Sequence, residues 1–94
     1  MYIYMKTALI TGGTRGVGLE IAKMFKKRDF NVVITGRDIN YSEKIATDLN
    51  KDYPSKGIVK GYKLDFTDLH KSSTLLNNLK NQIIKPTYLI NNAG

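Results

Sequence analysis

Apolar residues along the chain follow two alternating periods. Short aliphatic and β-branched runs predict buried strands, and apolar residues spaced three and four apart predict helices. The predicted strands are Lys6–Thr11, Asn31–Thr35, Ile58–Leu64 and Thr87–Ile90. The predicted helices are Gly16–Arg28, a helix from Ser42 as N-cap to about Lys51, and a third from Thr67 or Asp68 to about Ile84. This βαβαβαβ order predicts an α/β fold with parallel strands and right-handed crossovers.

Glycine is concentrated between the first strand and the first helix, in the stretch TGGTRGVG from Thr11 to Gly18. Unpaired N–H groups and the dipole at a helix N-terminus bind phosphate, and side chains there would obstruct it. We expect Gly12 to permit the tight turn, Gly16 to let the backbone approach a pyrophosphate, and Gly18 to let the helix pack closely on the strand. Its position between a strand and a helix favours dinucleotide binding over a glycine-rich turn without a ligand.

The residues around the end of the second strand bear on which dinucleotide binds. A carboxylate there selects NAD(H), whereas a basic residue accommodates the 2′-phosphate of NADP(H). The strand ends in Gly36-Arg37, and Arg15 lies in the glycine loop. We therefore expect NADP(H) in preference to NAD(H), with a solvated loop arginine as the alternative for Arg37. Asp38 would weaken this preference if its side chain turned inward.

The amino-acid composition limits the kinds of protein that this chain can be. The 94 residues suit one small domain, and the absence of cysteine argues against a disulfide framework or a thiol nucleophile. Neither a secretory signal nor an apolar run of roughly 20 residues is present, and we expect a cytoplasmic protein. The net charge of +7 raises nucleic acid as a partner, but the lysines are spread along the chain. A solvated lysine-rich surface explains the charge better, and the Lys26–Arg28 cations suit the last turn of the first helix.

Three motifs resemble those of the short-chain dehydrogenase/reductase family. Thr11–Gly18 matches every fixed position of its T-G-x-x-x-G-x-G motif, and NADP-preferring members commonly carry a basic residue where Arg15 stands. The segment 64–68, Leu-Asp-Phe-Thr-Asp, resembles the adenine-contacting segment. The segment 91–94, Asn-Asn-Ala-Gly, matches the family's N-N-A-G. The resemblance covers almost the whole chain.

The resemblance implies a Rossmann-type half-domain over residues 1–94, with four parallel strands in the order 3-2-1-4. It also implies a set of cofactor-binding residues: Gly12, Thr14, Arg15, Gly16, Val17, Gly18, Arg37, Asp65, Phe66, Asn91, Asn92 and Gly94. Asp65 would reach the adenine, although a helix-capping or loop carboxylate is the alternative. The N-N-A-G backbone would lie along the cofactor.

The family's catalytic serine and Tyr-x-x-x-Lys pair follow N-N-A-G, so no catalytic residue is assigned. Tyr2 and Lys6 match that pattern only as text, since they lie at the amino end of the first predicted strand, the far end from the glycine loop. The expected function is the cofactor-binding half of an NADP(H)-dependent oxidoreductase, catalytically incompetent by itself. The alternatives are a stand-alone nucleotide-binding or sensing module and, third, a basic nucleic-acid-binding protein.

In the order 3-2-1-4, the fourth strand becomes an edge of the sheet. Leu89 and Ile90 would then lack the covering that a longer sheet provides, and we expect exposed apolar surface. The expected partners are the dinucleotide and either a C-terminal half or a second copy of the chain, without a membrane. Low stability is a further expectation.

Overall fold

The first five described elements of the fold alternate between strands and helices. A computed structural model of the chain describes residues 6–64 and 88–91. In this part the elements are β1 (Thr7–Thr11), α1 (Gly16–Lys27), β2 (Asn31–Gly36), α2 (Ile39–Asp52), β3 (Val59–Lys63) and β4 (Tyr88–Asn91). The predicted third helix falls on residues outside these ranges.

The described strands pair side by side in the order β3-β2-β1-β4, and every pair is parallel. In the register of the sheet, Thr11 pairs with Asn91 and Gly36 pairs with Lys63. The carboxyl ends of the strands therefore meet along one edge, where ligands bind in open parallel sheets. The predicted α/β fold with parallel strands is confirmed.

The main core lies on the face of the sheet that α1 and α2 cover. Alternate residues of a strand point to the same face, so β1 and β2 present four apolar side chains to the helices. The helices contribute a matching set. The buried cluster consists of Ala8, Ile10, Val32, Ile34, Ala22, Phe25, Ala46, Leu49 and Val59. Burial of each larger aliphatic side chain stabilises the fold by about 1.5–3 kcal/mol.

The other face of the sheet also carries buried side chains. Leu9 and Val33 have the opposite parity to the core cluster, and both are buried. On the face that carries the core, Ile90 of β4 is half-buried and packs against the core cluster, while Tyr88 is exposed. Ile90 is therefore less exposed than expected from the prediction that the edge strand leaves apolar side chains uncovered. The side chain of Leu89 lies outside the described part.

The carboxyl end of α1 closes in a Schellman motif. The Phe30 N–H donates to Phe25 O at 3.1 Å, and the Asp29 N–H donates to Lys26 O at 3.2 Å. Asp29 adopts the left-handed conformation, with φ of 64°, that this motif requires at its turn residue. The rings of Phe25 and Phe30 then meet edge to face at 4.8 Å. The helix ends one residue before the predicted end at Arg28.

The amino end of α2 differs from the prediction. Asp38, not Ser42, is the N-cap, because its carboxylate accepts from the N–H groups of Asn40 at 2.8 Å and Tyr41 at 3.3 Å. The helix therefore begins at Ile39, and Ser42 lies within it, fully buried. Both residue types cap helices well, and the earlier one takes the role because its carboxylate reaches the N–H groups of Asn40 and Tyr41.

Lys26 is an exception to the solvated lysine surface that the composition predicts. Its side chain is 2% exposed although it belongs to the last turn of α1. The ammonium donates to Ser55 Oγ at 2.8 Å and to the carbonyl of Gly57 at 2.5 Å. Lys26 therefore attaches the end of α1 to the loop that precedes β3.

Neither helix of the described part has the length and apolar character needed to cross a bilayer. The cytoplasmic location stays a prediction.

Candidate functional site

The carboxyl ends of β1 and β2 lie beside each other and lead into two loops. The first loop, residues 12–15, is joined to the end of β2 by backbone contacts. The Gly13 N–H donates to Thr35 O at 3.1 Å, and the Gly12 N–H donates to Thr35 Oγ1 at 3.3 Å. Because these bonds fix the loop to the sheet, α1 starts at a defined place above the strand ends.

The backbone of the glycine loop needs glycine at two positions. Gly12 and Gly16 have φ values of 68° and 59°, which side-chain-bearing residues rarely adopt. A Cβ atom placed on Gly16 would have no heavy atom within 4 Å. The space over Gly16 is therefore open, and a ligand can reach the backbone there.

The amino end of α1 carries no side-chain cap. Its N-cap is Arg15, which makes no capping hydrogen bond, and the first turn contains no acidic residue. The N–H groups of a first turn have no partner within the helix, and the dipole makes this end positive. In α2 the equivalent groups are taken by Asp38. Of the two helices, α1 is thus the one whose amino end suits an anion.

Two arginines lie in the loops that follow β1 and β2, Arg15 as the N-cap of α1 and Arg37 directly after β2. Arg15 and Arg37 are both exposed, and the guanidinium carbon of Arg15 lies 5.9 Å from the ring centroid of Tyr41. Within the described residues, the ion pair formed is Lys23–Glu20, so neither arginine is neutralised by a carboxylate there.

The hydrogen bond from Lys23 to Glu20 raises the pKa of Lys23.

The structure brings the predicted residues of the glycine loop together. Arg15, Gly16 and Val17 are exposed at the amino end of α1, while Thr14 and Gly18 are buried beneath them. Thr14 does not face solvent, because it packs towards Gly36 at the end of β2.

The remaining predicted residues are placed only in part. Asn91 ends β4 in register with Thr11, beside the glycine loop. Asp65, Phe66, Asn92 and Gly94 lie outside the described residues.

Sequence reasoning interpreted Gly13 and Gly36 as residues that end the first two strands and placed neither among the cofactor-binding residues. A Cβ atom on Gly13 would stand 2.7 Å from Ile34 Cγ2, so this position requires close packing of the loop on β2. A Cβ atom on Gly36 would stand 2.9 Å from Ser42 Oγ and 3.0 Å from Thr14 Cγ2. The consecutive glycines Gly12 and Gly13 were a sequence signal for the close packing of Gly13 on Ile34. No local sequence pattern indicated the close packing of Gly36 on Ser42 and Thr14.

The donor set determines the chemistry of the site. In residues 6–64 and 88–91, no three His, Cys, Asp or Glu side chains cluster as metal ligands do. Backbone N–H groups, a helix dipole and two guanidinium groups all favour a negatively charged ligand. The site is therefore suited to binding an anion such as a pyrophosphate.

Known proteins are similar to this chain in sequence. A 3-oxoacyl-(acyl-carrier-protein) reductase of Haemophilus influenzae is 38% identical over 89 residues, which are 95% of this chain and 34% of the relative. An NADP-dependent (R)-specific alcohol dehydrogenase of Lentilactobacillus kefiri is 34% identical over 89 residues, again 95% of this chain and 34% of the relative. The chain thus spans about a third of the length of these relatives.

The chain is also similar to a solved structure of the short-chain dehydrogenase type. The short-chain dehydrogenase from Sphingobium yanoikuyae in complex with NADPH superposes with a TM-score of 0.81 at 28% identity, covering 96% of this chain and 34% of that one. The family described as short chain dehydrogenase matches residues 6–94, nearly the entire chain. The chain belongs to the short-chain dehydrogenase family.

Proposed function

We propose that the chain is the cofactor-binding part of an NADP(H)-dependent oxidoreductase. One observation carries this proposal: the amino end of α1 has no side-chain cap and begins at the exposed Arg15, while the carboxylate of Asp38 caps α2. The NADPH complex of the structural relative supports the same cofactor class. Bound NADP(H) supplies the hydride or accepts it.

The pyrophosphate is assigned to the first turn of α1. The N–H groups there, beside the open backbone of Gly16, would donate to its oxygens. Gly12, Gly18 and Thr14 shape the loop, and Val17 lies exposed at the start of the helix. The observation that favours the fit is the open space that a Cβ atom on Gly16 would fill.

The 2′-phosphate is assigned to Arg15 and Arg37. Each hydrogen bond to this charged group contributes about 1.5–3 kcal/mol, which corresponds to roughly 10- to 150-fold in affinity. Asp38 does not oppose the assignment, because its carboxylate accepts two backbone N–H groups of α2. Both N–H groups donate to Oδ1, which holds this carboxylate at the first turn of α2, and the proposal is that it stays there and does not reach the 2′-hydroxyl of NAD(H), which a carboxylate at this place would select.

The segment 64–68 and the N-N-A-G segment complete the proposed site through the family resemblance. Asp65 and Phe66 are assigned to the adenine, and Asn91, Asn92 and Gly94 to the backbone that lies along the cofactor. The described ends of β3 and β4 lead into both segments, at the edge where the glycine loop lies.

The 94 residues by themselves are proposed to bind the cofactor without catalysing hydride transfer. In the family, the serine and the Tyr-x-x-x-Lys pair follow N-N-A-G, and the chain spans about a third of its relatives. A complete site would require further residues, from a longer chain or from a partner. In either case the sheet would continue from β4, in the order 3-2-1-4-5-6 of a Rossmann-type fold.

A melting experiment tests the proposal. The purified chain is heated alone, with NADPH and with NADH. A ligand that binds only the folded state raises its stability by about 2.7 kcal/mol at 100 times its Kd. We expect a clear shift with NADPH and a smaller one with NADH. Arg37→Ala should remove most of the difference.

The matched control is Lys44→Ala, which removes an exposed cation from α2 away from the glycine loop. It should preserve the preference for NADPH. Equal shifts with both cofactors would contradict the assignment of the 2′-phosphate, and a shift with neither would contradict cofactor binding by this chain.

A further inference from the structure

Resting on the proposed function, we infer that Tyr41 is a positioning residue that holds the Arg15 guanidinium beside the amino end of α2 and thereby strengthens selection of a 2′-phosphate. The contact is direct: the Arg15 guanidinium carbon lies 5.9 Å from the centroid of the Tyr41 ring. Cation–π attraction acts within about 6 Å of a ring centroid. The two residues come from the loop before α1 and the first turn of α2.

Tyr41 contributes little to the core. Its side chain is 39% exposed, and the buried residues of α2 are Ser42, Ala46 and Leu49. An aromatic ring left on the surface beside a proposed phosphate site therefore needs a different explanation. Its contact with Arg15 supplies one.

The chemistry of the contact suits a residue that must still bind phosphate. A carboxylate partner would order Arg15 but would also neutralise it and occupy its N–H groups. An aromatic face attracts the guanidinium plane and leaves the charge and the five N–H donors available. Ordering a free arginine side chain costs up to about 2 kcal/mol in entropy, and prior placement on the ring reduces this loss upon binding.

Arg37 makes the placement effective. It follows β2 directly, two residues before α2 begins at Ile39, and it is exposed like Arg15. With Arg15 drawn towards Tyr41, cations from two separate loops converge at one end of α2. Two cations at one place recognise a phosphate group, which has several acceptor oxygens.

A second contact of the same kind gives a matched control. Lys27 Nζ lies 4.9 Å from the ring centroid of Tyr53, and these residues stand at the carboxyl ends of α1 and α2. The two helices are thus bridged by a cation and a ring at each end. Only the Arg15–Tyr41 contact adjoins the glycine loop.

The test measures Kd for NADPH and NADH, and for the fragments 2′,5′-ADP and 5′-AMP, by titration calorimetry of the chain and its variants. Tyr41→Leu and Tyr41→Gln should weaken NADPH and 2′,5′-ADP by roughly two- to fivefold, with NADH and 5′-AMP unchanged. Tyr41→Phe keeps the ring and should match the wild type. Tyr53→Leu should lower the melting temperature without changing the ratio of the two Kd values.

Each outcome decides a different statement. A wild-type chain that does not prefer NADPH refutes the proposed function. A wild-type chain that prefers NADPH, with Tyr41→Leu and Tyr41→Gln equal to it, refutes the role of Tyr41 alone. Tighter NADPH binding in these variants would show that Tyr41 withholds Arg15 from the phosphate. In a double-mutant cycle, Tyr41→Leu should have no further effect once Arg15 is replaced by Gln.

Discussion

The hydroxyl of Ser42 lies against the Cα atom of Gly36, so that a Cβ atom on residue 36 would stand 2.9 Å from Ser42 Oγ. This approach brings the first turns of α2 onto the end of β2, beside Thr14 of the glycine loop. The position of α2, and of the arginines near its amino end, therefore depends on residue 36 being glycine, which has no Cβ atom.

Gly36→Ala is expected to destabilise the fold by about 1–3 kcal/mol, the usual cost of an extra methyl group in a packed interior. Thermal or urea unfolding followed by circular dichroism measures the change. The double substitution with Ser42→Gly should recover part of the loss, because it removes the atom nearest to the new methyl group. Equal stability of Gly36→Ala and wild type would contradict the close approach.

Ser42→Ala is expected to stabilise the chain by about 1 kcal/mol. Ser42 Oγ is buried and has no hydrogen-bond partner in the part of the chain that the structure describes. The substitution replaces the CH2OH side chain by CH3, and deleting an unsatisfied buried hydroxyl removes its desolvation penalty. Ser55→Ala is the contrasting control, since Ser55 accepts from Lys26, and it should lower the melting temperature. A destabilised Ser42→Ala would indicate an acceptor for its hydroxyl.

Lys26→Ala is expected to destabilise the chain by about 2–4 kcal/mol, because the substitution removes a buried stem and leaves the Gly57 carbonyl without its donor. The neighbouring Lys27→Ala removes an exposed cation and should cost less than about 1 kcal/mol through its contact with Tyr53. Chemical unfolding of both variants gives the comparison. Similar losses for the two lysines would refute the anchoring role of Lys26.

Asp38→Ala is expected to destabilise the chain by about 1 kcal/mol through loss of the α2 cap. Asp38→Asn keeps an acceptor for the Asn40 and Tyr41 N–H groups and should retain most of the stability. It also removes a negative charge next to Arg37, so NADPH binding should tighten while NADH binding stays the same. Unfolding curves and titrations of the two variants separate these effects. Tighter NADH binding by the wild type than by Asp38→Asn would mean that the carboxylate reaches the ribose.

The sequence was sufficient for features that depend on local patterns. The strands and the start of α1 follow from aliphatic runs and from the glycines between Thr11 and Gly18, where the local backbone requirement is strict. The start of α2 was misplaced because Asp38 and Ser42 are both good caps within four residues of each other. Propensity alone does not decide between them.

Contacts between residues far apart in the sequence could not be predicted from local patterns. Lys26 looks like a solvated last-turn cation until Gly57, 31 residues later, is placed above it. The Arg15–Tyr41 contact and the fit of Gly36 against Ser42 likewise require the packed arrangement of loop, strand and helix. The family motifs indicated which residues gather at the site, but not which of their neighbours hold them.

The anchoring of Lys26 has a consequence for how such a protein can diverge. The residue that secures α1 sits at its carboxyl terminus, and the groups proposed to choose the ligand sit at the opposite terminus. Stability and selectivity thus depend on opposite ends of α1, because Lys26 and Arg15 are 11 residues, or about 17 Å, apart at 1.5 Å per residue. Substitutions of the arginines can therefore change the nucleotide preference during evolution while the contacts of Lys26 that stabilise the fold are retained.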